Sequence, residues 1–94
     1  MDCERILFSV HALRRMFERS ISKEEAIEVI EGGELILEYP HDQPYSSVVL
    51  LGKAAGRHMH VVVAQDDATG TCVVITVYVP DPAVWTPDFR TRRS

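Results

Sequence analysis

Cysteine is scarce in this sequence. Only Cys3 and Cys72 are present, one in what reads as a fraying terminus and one in a strand, so a disulfide framework is not expected. Long apolar runs are missing too. None exceeds four or five residues, far short of a membrane span. The opening Met1-Asp2-Cys3-Glu4-Arg5 is acidic where a secretion signal would be basic, which makes the cytoplasm the expected location. No G-x-S-x-G, P-loop, G-x-G-x-x-G, C-x-x-C or H-E-x-x-H occurs, so the common motif-borne chemistries and their cofactors are not expected. Positive charge is short overall. The net charge of −4 argues against broad, non-specific nucleic-acid binding, which depends on a positive surface.

What is present is a chain of one-domain length, with 46% hydrophobic and 26% charged residues, an ordinary globular balance. The charges are segregated. Glu24, Glu25, Glu28, Glu31, Glu34, Glu38 and Asp42 form an acidic block relieved only by Lys23. Arg14, Arg15 and Arg19 precede it, Arg57 follows, and Arg90, Arg92 and Arg93 lie near the end. Any phosphate would have to meet those arginines and avoid the block.

Ser9 is a good N-cap for a helix from Val10 to about Arg19, with Leu13, Met16 and Phe17 as its apolar stripe. His11, Arg15 and Arg19 recur at i, i+4 and i+8 and share a polar face. Ser22-Lys23-Glu24-Glu25 is a capping box that opens a second helix, ended by Gly32-Gly33. Everything after Gly33 reads as strand: Leu35–Tyr39, Ser47–Leu51, His58–Gln65 and Thr71–Tyr78, with Trp85 and Phe89 in a tail that packs back. The expected class is therefore α+β, with two N-terminal helices packed on one face of an antiparallel three- to four-stranded sheet in a single domain, 1–94.

In the last two strands the odd positions Met59, Val61, Val63, Val73, Ile75 and Val77 are all apolar and are expected to face the helices, while the even positions His58, His60, Val62, Ala64, Cys72, Val74, Thr76 and Tyr78 share the other face. Pairing Gln65 with Thr71 would place His60 opposite Thr76 and His58 opposite Tyr78. The other face is then apolar near the hairpin tip and polar near its base, where a site is expected. In it Arg15, Arg19 and Arg57 would bind phosphate beside Thr76, while His60, Tyr78 and His11 would move protons. Acid, base and cation together would suffice for RNA cleavage by its own 2′-hydroxyl without a metal. His58-x-His60 has a spacing that zinc sites use, but no third ligand is evident beyond His11 or His41, so no metal is expected.

The stretch Phe8-Ser9-Val10-His11-Ala12-Leu13-Arg14-Arg15-Met16-Phe17-Glu18-Arg19-Ser20-Ile21-Ser22 resembles the opening motif of the small prokaryotic domain of unknown function 4258. Gly33-Glu34, Tyr39-Pro40, Pro44-Tyr45, Gly56-Arg57, His60-Val61-Val62-Val63 and Ile75-Thr76-Val77-Tyr78 extend the resemblance from about Ile6 to Trp85. More distantly, two helices on an antiparallel sheet resemble the RelE/BrnT-type toxins, and Ser22-Lys23-Glu24-Glu25-Ala26 is similar to the second-helix start of the BrnT branch. That likeness implies a toxin-type ribonuclease with RNA as substrate and a cognate antitoxin as partner. The chain differs in being acidic and in ending Val77-Tyr78-Val79-Pro80-Asp81-Pro82 in place of an arginine-bearing last strand. The rival expectation is a non-catalytic interaction module that binds a protein or a second copy through its acidic second helix or exposed sheet face. Charge discriminates them: an enzyme needs convergent, exposed arginines, whereas a module ties them into ion pairs with the acidic block.

Overall fold

The computed structural model describes residues 1–94. Its first strand, β1 (Arg5–Phe8), leads into α1 (Val10–Glu18) and α2 (Lys23–Gly32). Four further strands follow: β2 (Glu34–Tyr39), β3 (Ser47–Ala54), β4 (Arg57–Asp66) and β5 (Thr71–Tyr78). Both helices start as their capping residues dictate. The Ser9 hydroxyl accepts from the Ala12 amide at 3.0 Å, and the Ser22 hydroxyl from the Glu25 amide at 3.1 Å. The corner between them closes tightly. Ser20 adopts φ +54°, and the Ser20 and Ile21 amides return to the Phe17 and Met16 carbonyls.

The strands form one mixed sheet in the order β1-β5-β4-β3-β2. The expected three or four antiparallel strands are corrected to five, because β1 pairs with β5 in parallel. Four half-exposed residues give too short a period to announce a strand. The terminus does not fray either. Cys3 and Cys72 form a disulfide, contrary to expectation, with the Glu4 amide bonded to the Gly70 carbonyl and the Met1 ammonium to that of Ile30. β1 is what brings the two sulfurs together, since its register sets Ile6 beside Cys72.

The helices cover one face of the sheet. Ala12, Met16, Ala26, Val29 and Ile30 interlock there with Leu50, Met59, Val61, Val63, Cys72, Val74 and Val77. Backbone approach at the end of α2 is close enough to demand glycine: a Cβ on Gly33 would lie 2.4 Å from the Val29 carbonyl oxygen.

Two expectations about faces fail in β5. Val62 pairs with Thr76 and Val63 with Val74, so Ile75 is an unpaired extra residue, a β-bulge. Alternation slips by one across it. Cys72, Val74 and Val77 face the helices, whereas Val73 and Ile75 look out from the opposite face. The register shifts accordingly: Gln65 pairs with Cys72 and His60 with Tyr78, not with Thr76. On α1 the expected stripe divides. Met16 is buried, but Phe17 is 87% exposed and Leu13 38%.

Candidate functional site

The face of the sheet away from the helices has three zones. Over the base of the β4–β5 hairpin lies the C-terminal segment after Tyr78, with Trp85 buried against His60. Beside the hairpin tip stands the β2–β3 loop, anchored where the Ser47 hydroxyl donates to Asp42 and the Gln65 amide to the Ser46 carbonyl. Next to that loop an open groove of about 350 Å³ is lined by Asp42, Gln43, Pro44, Tyr45, Ala64, Val73 and Ile75.

His60 is fully buried. Its Nε2 faces the Phe89 carbonyl oxygen at 2.8 Å, and a carbonyl only accepts, so Nε2 carries the proton. Nδ1 then accepts from the Tyr78 hydroxyl at 3.1 Å. The indole of Trp85 stands edge-on at 4.4 Å between ring centres. Desolvation lowers the His60 pKa against the smaller opposing effect of the Phe89 bond, so the ring is held neutral. Burial pushes the Tyr78 hydroxyl up, with nearby Arg92 pulling slightly the other way. His60 and Tyr78 thus meet, and the imidazole has no free nitrogen. It pins the tail to the sheet.

The arginines are distributed differently. Arg57 donates to the Arg19 and Ser20 carbonyls and pairs with Glu25 at 3.0 Å, locking the corner between the helices to the start of β4. Arg19 donates to the Val77 carbonyl at 3.2 Å, on the strand that carries Thr76 and Tyr78. Arg15 pairs with Glu18 one turn along its own helix. His11 is exposed on the first turn of α1, and Thr76 is half-buried opposite Val62. Ser9 acts with Arg19: its hydroxyl donates to the Ile75 carbonyl, so side chains satisfy two carbonyls of β5 past the end of β1.

His58 stacks beside Phe89 at 5.0 Å, apart from His60 in role. No group of three His, Cys, Asp or Glu side chains gathers closely enough to hold a metal ion. Sequence reasoning placed the open zone at the base of the hairpin. The structure covers the base with the tail and leaves the tip end open. The usable signal was the apolar character of the face near the tip; Val73 and Ile75 were missed because the bulge reverses their side, and Tyr45 because it lies in the loop between β2 and β3, where no period applies.

The fold and this face define a small α+β domain with two helices on a five-stranded mixed sheet and an apolar groove on the uncovered side. A family model described as "Domain of unknown function (DUF4258)" matches residues 8–79, and the chain belongs to that family. No curated protein and no solved structure matches it. No helix is long and apolar enough to cross a membrane.

Proposed function

We propose that this chain is a non-catalytic protein-interaction domain whose open sheet face receives an apolar segment of a protein partner. The observation that carries the proposal is the groove walled by Tyr45, Val73 and Ile75, which leaves apolar side chains uncovered beside a rim carboxylate, Asp42. That carboxylate, on a chain of net charge −4, favours a segment bearing a basic residue next to its apolar anchor. Supporting it, Arg57 and Arg90 are tied to Glu25 and Glu34 of the acidic block, and His60 is tied to the tail.

The second reading is a RelE/BrnT-like ribonuclease with RNA as substrate and an antitoxin partner. One contact favours it: Arg19 lies against the strand that carries Thr76 and Tyr78. The two readings separate experimentally. A photo-crosslinking residue replacing Ile75 should give one discrete adduct in cells, lost with Asp42→Lys and absent when the probe replaces Asp67 at the hairpin tip. No adduct at position 75, or RNA cleavage by the purified chain that disappears with Tyr78→Phe, would overturn the proposal.

A further inference from the structure

The two edges of the sheet are finished differently. β1 ends one edge after four residues, and where β5 runs on past it Ser9 and Arg19 take the Ile75 and Val77 carbonyls. β2 ends the other edge with six residues, Glu34–Tyr39, and pairs only with β3. In an antiparallel pair every second residue turns its amide and carbonyl away from its neighbour. Outside the β2–β3 ladder no hydrogen bond, from backbone or side chain, reaches Leu35, Ile36, Leu37 or Glu38. Their outward groups have no partner in the chain.

The side chains along this edge have a definite chemistry. The register with β3 skips Ile36, a β-bulge. Leu35 therefore lies opposite Leu50 on the helix side, while Leu37 and Tyr39 lie opposite Val49 and Ser47 on the other. Leu35 is 46% exposed and Tyr39 39%, so both faces show apolar surface at the rim. Carboxylates stand toward both ends. Glu34 already holds a guanidinium, since Arg90 of the tail donates to both its oxygens at 2.9 and 2.7 Å. Glu38 lies on the helix side opposite Val48, is exposed, and is in no ion pair.

We propose that this edge receives an extended, basic segment of a protein partner, which adds to the sheet as a further strand. Backbone bonds to the outward groups supply the attachment. A lysine or arginine beside Glu38, with apolar residues beside Leu35, Leu37 and Tyr39, supplies the selection. A bulge and charges of one sign at an edge are devices that keep copies of the same strand apart. Glu34–Tyr39 itself contains no cation, and each copy of the chain carries a net charge of −4. A second copy thus meets repulsion where a basic segment meets attraction. The edge is separate from the groove, which takes no residue from β2.

Nuclear magnetic resonance of the isotope-labelled chain, titrated with a synthetic peptide of alternating lysine and valine, tests this beside a peptide in which glutamate replaces lysine. The lysine peptide should slow amide exchange within Leu35–Glu38 and give cross-strand contacts there, with an affinity that falls as salt rises. Glu38→Lys, a substitution at an exposed position, should weaken the lysine peptide about tenfold or more and let the glutamate peptide bind. No binding at millimolar peptide, protection that appears instead at Ala64, Val73 and Ile75, equal binding of the two peptides, or a Glu38→Lys variant that binds like wild type would each overturn the inference. So would a wild-type chain that dimerises by itself with the same amides protected, which would give the edge to a second copy.

Discussion

Opening the Cys3–Cys72 disulfide should cost this domain a large share of its stability. The bridge joins residues 69 apart, so it closes most of the chain into a single loop. In the chain-entropy treatment, a loop of that length restricts the unfolded ensemble by about 4 kcal/mol at 25 °C. For a domain of this size each kcal/mol is worth roughly 4–8 °C in melting temperature, so full reduction should lower it by roughly 20 °C. The folded side adds to the effect. Without the bridge, β1 keeps its ladder with β5, the packing of Ile6 and Phe8 on the core and bonds such as Glu4 to Gly70, but loses its one covalent tie to the sheet. The assay is a thermal melt followed by far-ultraviolet circular dichroism, with and without a dithiol reductant, beside a Cys3→Ser variant whose substituted side chain is only half-buried. Reductant should shift the wild type and leave the variant where it is. If reduced and oxidised wild type melt within a few degrees of each other, the loop-closure reasoning is wrong for this chain.

Other outcomes follow from single contacts. His60 has a folded pKa below its ordinary 6.5, so the unfolded chain binds the proton more readily; stability should hold above about pH 6.5 and fall as pH drops below it, by up to about 1.4 kcal/mol per pH unit. Urea melts across that range should show the slope in wild type and lose this component in His60→Asn. Val61→Ala empties a fully buried position between sheet and helices and should cost roughly 2 kcal/mol, read as a lower urea midpoint. Gly33→Ala must push the Val29 and Leu51 carbonyls apart and should destabilise by more than 1 kcal/mol in the same assay. Arg57→Ala leaves two carbonyls and Glu25 without their partner, so a loss of about 1–2 kcal/mol is expected; an unchanged midpoint would show the corner does not need it.

Much of the architecture could be read from local chemistry. Both helix starts were visible in Ser9 and Ser22, because a capping hydroxyl is a one-residue signal. Strands β3 to β5 were visible in their apolar runs, and β5 begins and ends where its composition says. The failures have physical causes. β1 and the disulfide depend on pairing across the whole chain, which no local period reports. The exposed side of β5 depends on one surplus residue at Ile75, invisible to a rule that assumes strict alternation. Of the candidate site, the meeting of His60 with Tyr78 was legible as proximity on one face. Its seclusion was not, because the tail that seals it folds back through Phe89 and Trp85.

The bulge at Ile75 also makes β5 unequally tolerant of changes in length. In phase terms, the strand carries a half-period slip stored in one residue. Removing Ile75 would bring Val74 next to Thr76 and restore strict alternation, leaving Cys72, Val74 and Val77 on the core side and Tyr78 beside His60. Removing Val73 instead would turn every residue on one side of the gap inside out. Among single-residue deletions inside this strand, the loss of Ile75 or of Thr76, neighbours that share the outer face, is therefore what leaves the other seven side chains facing as they do now, and the loss of Ile75 also takes away the carbonyl that Ser9 holds and one wall of the groove.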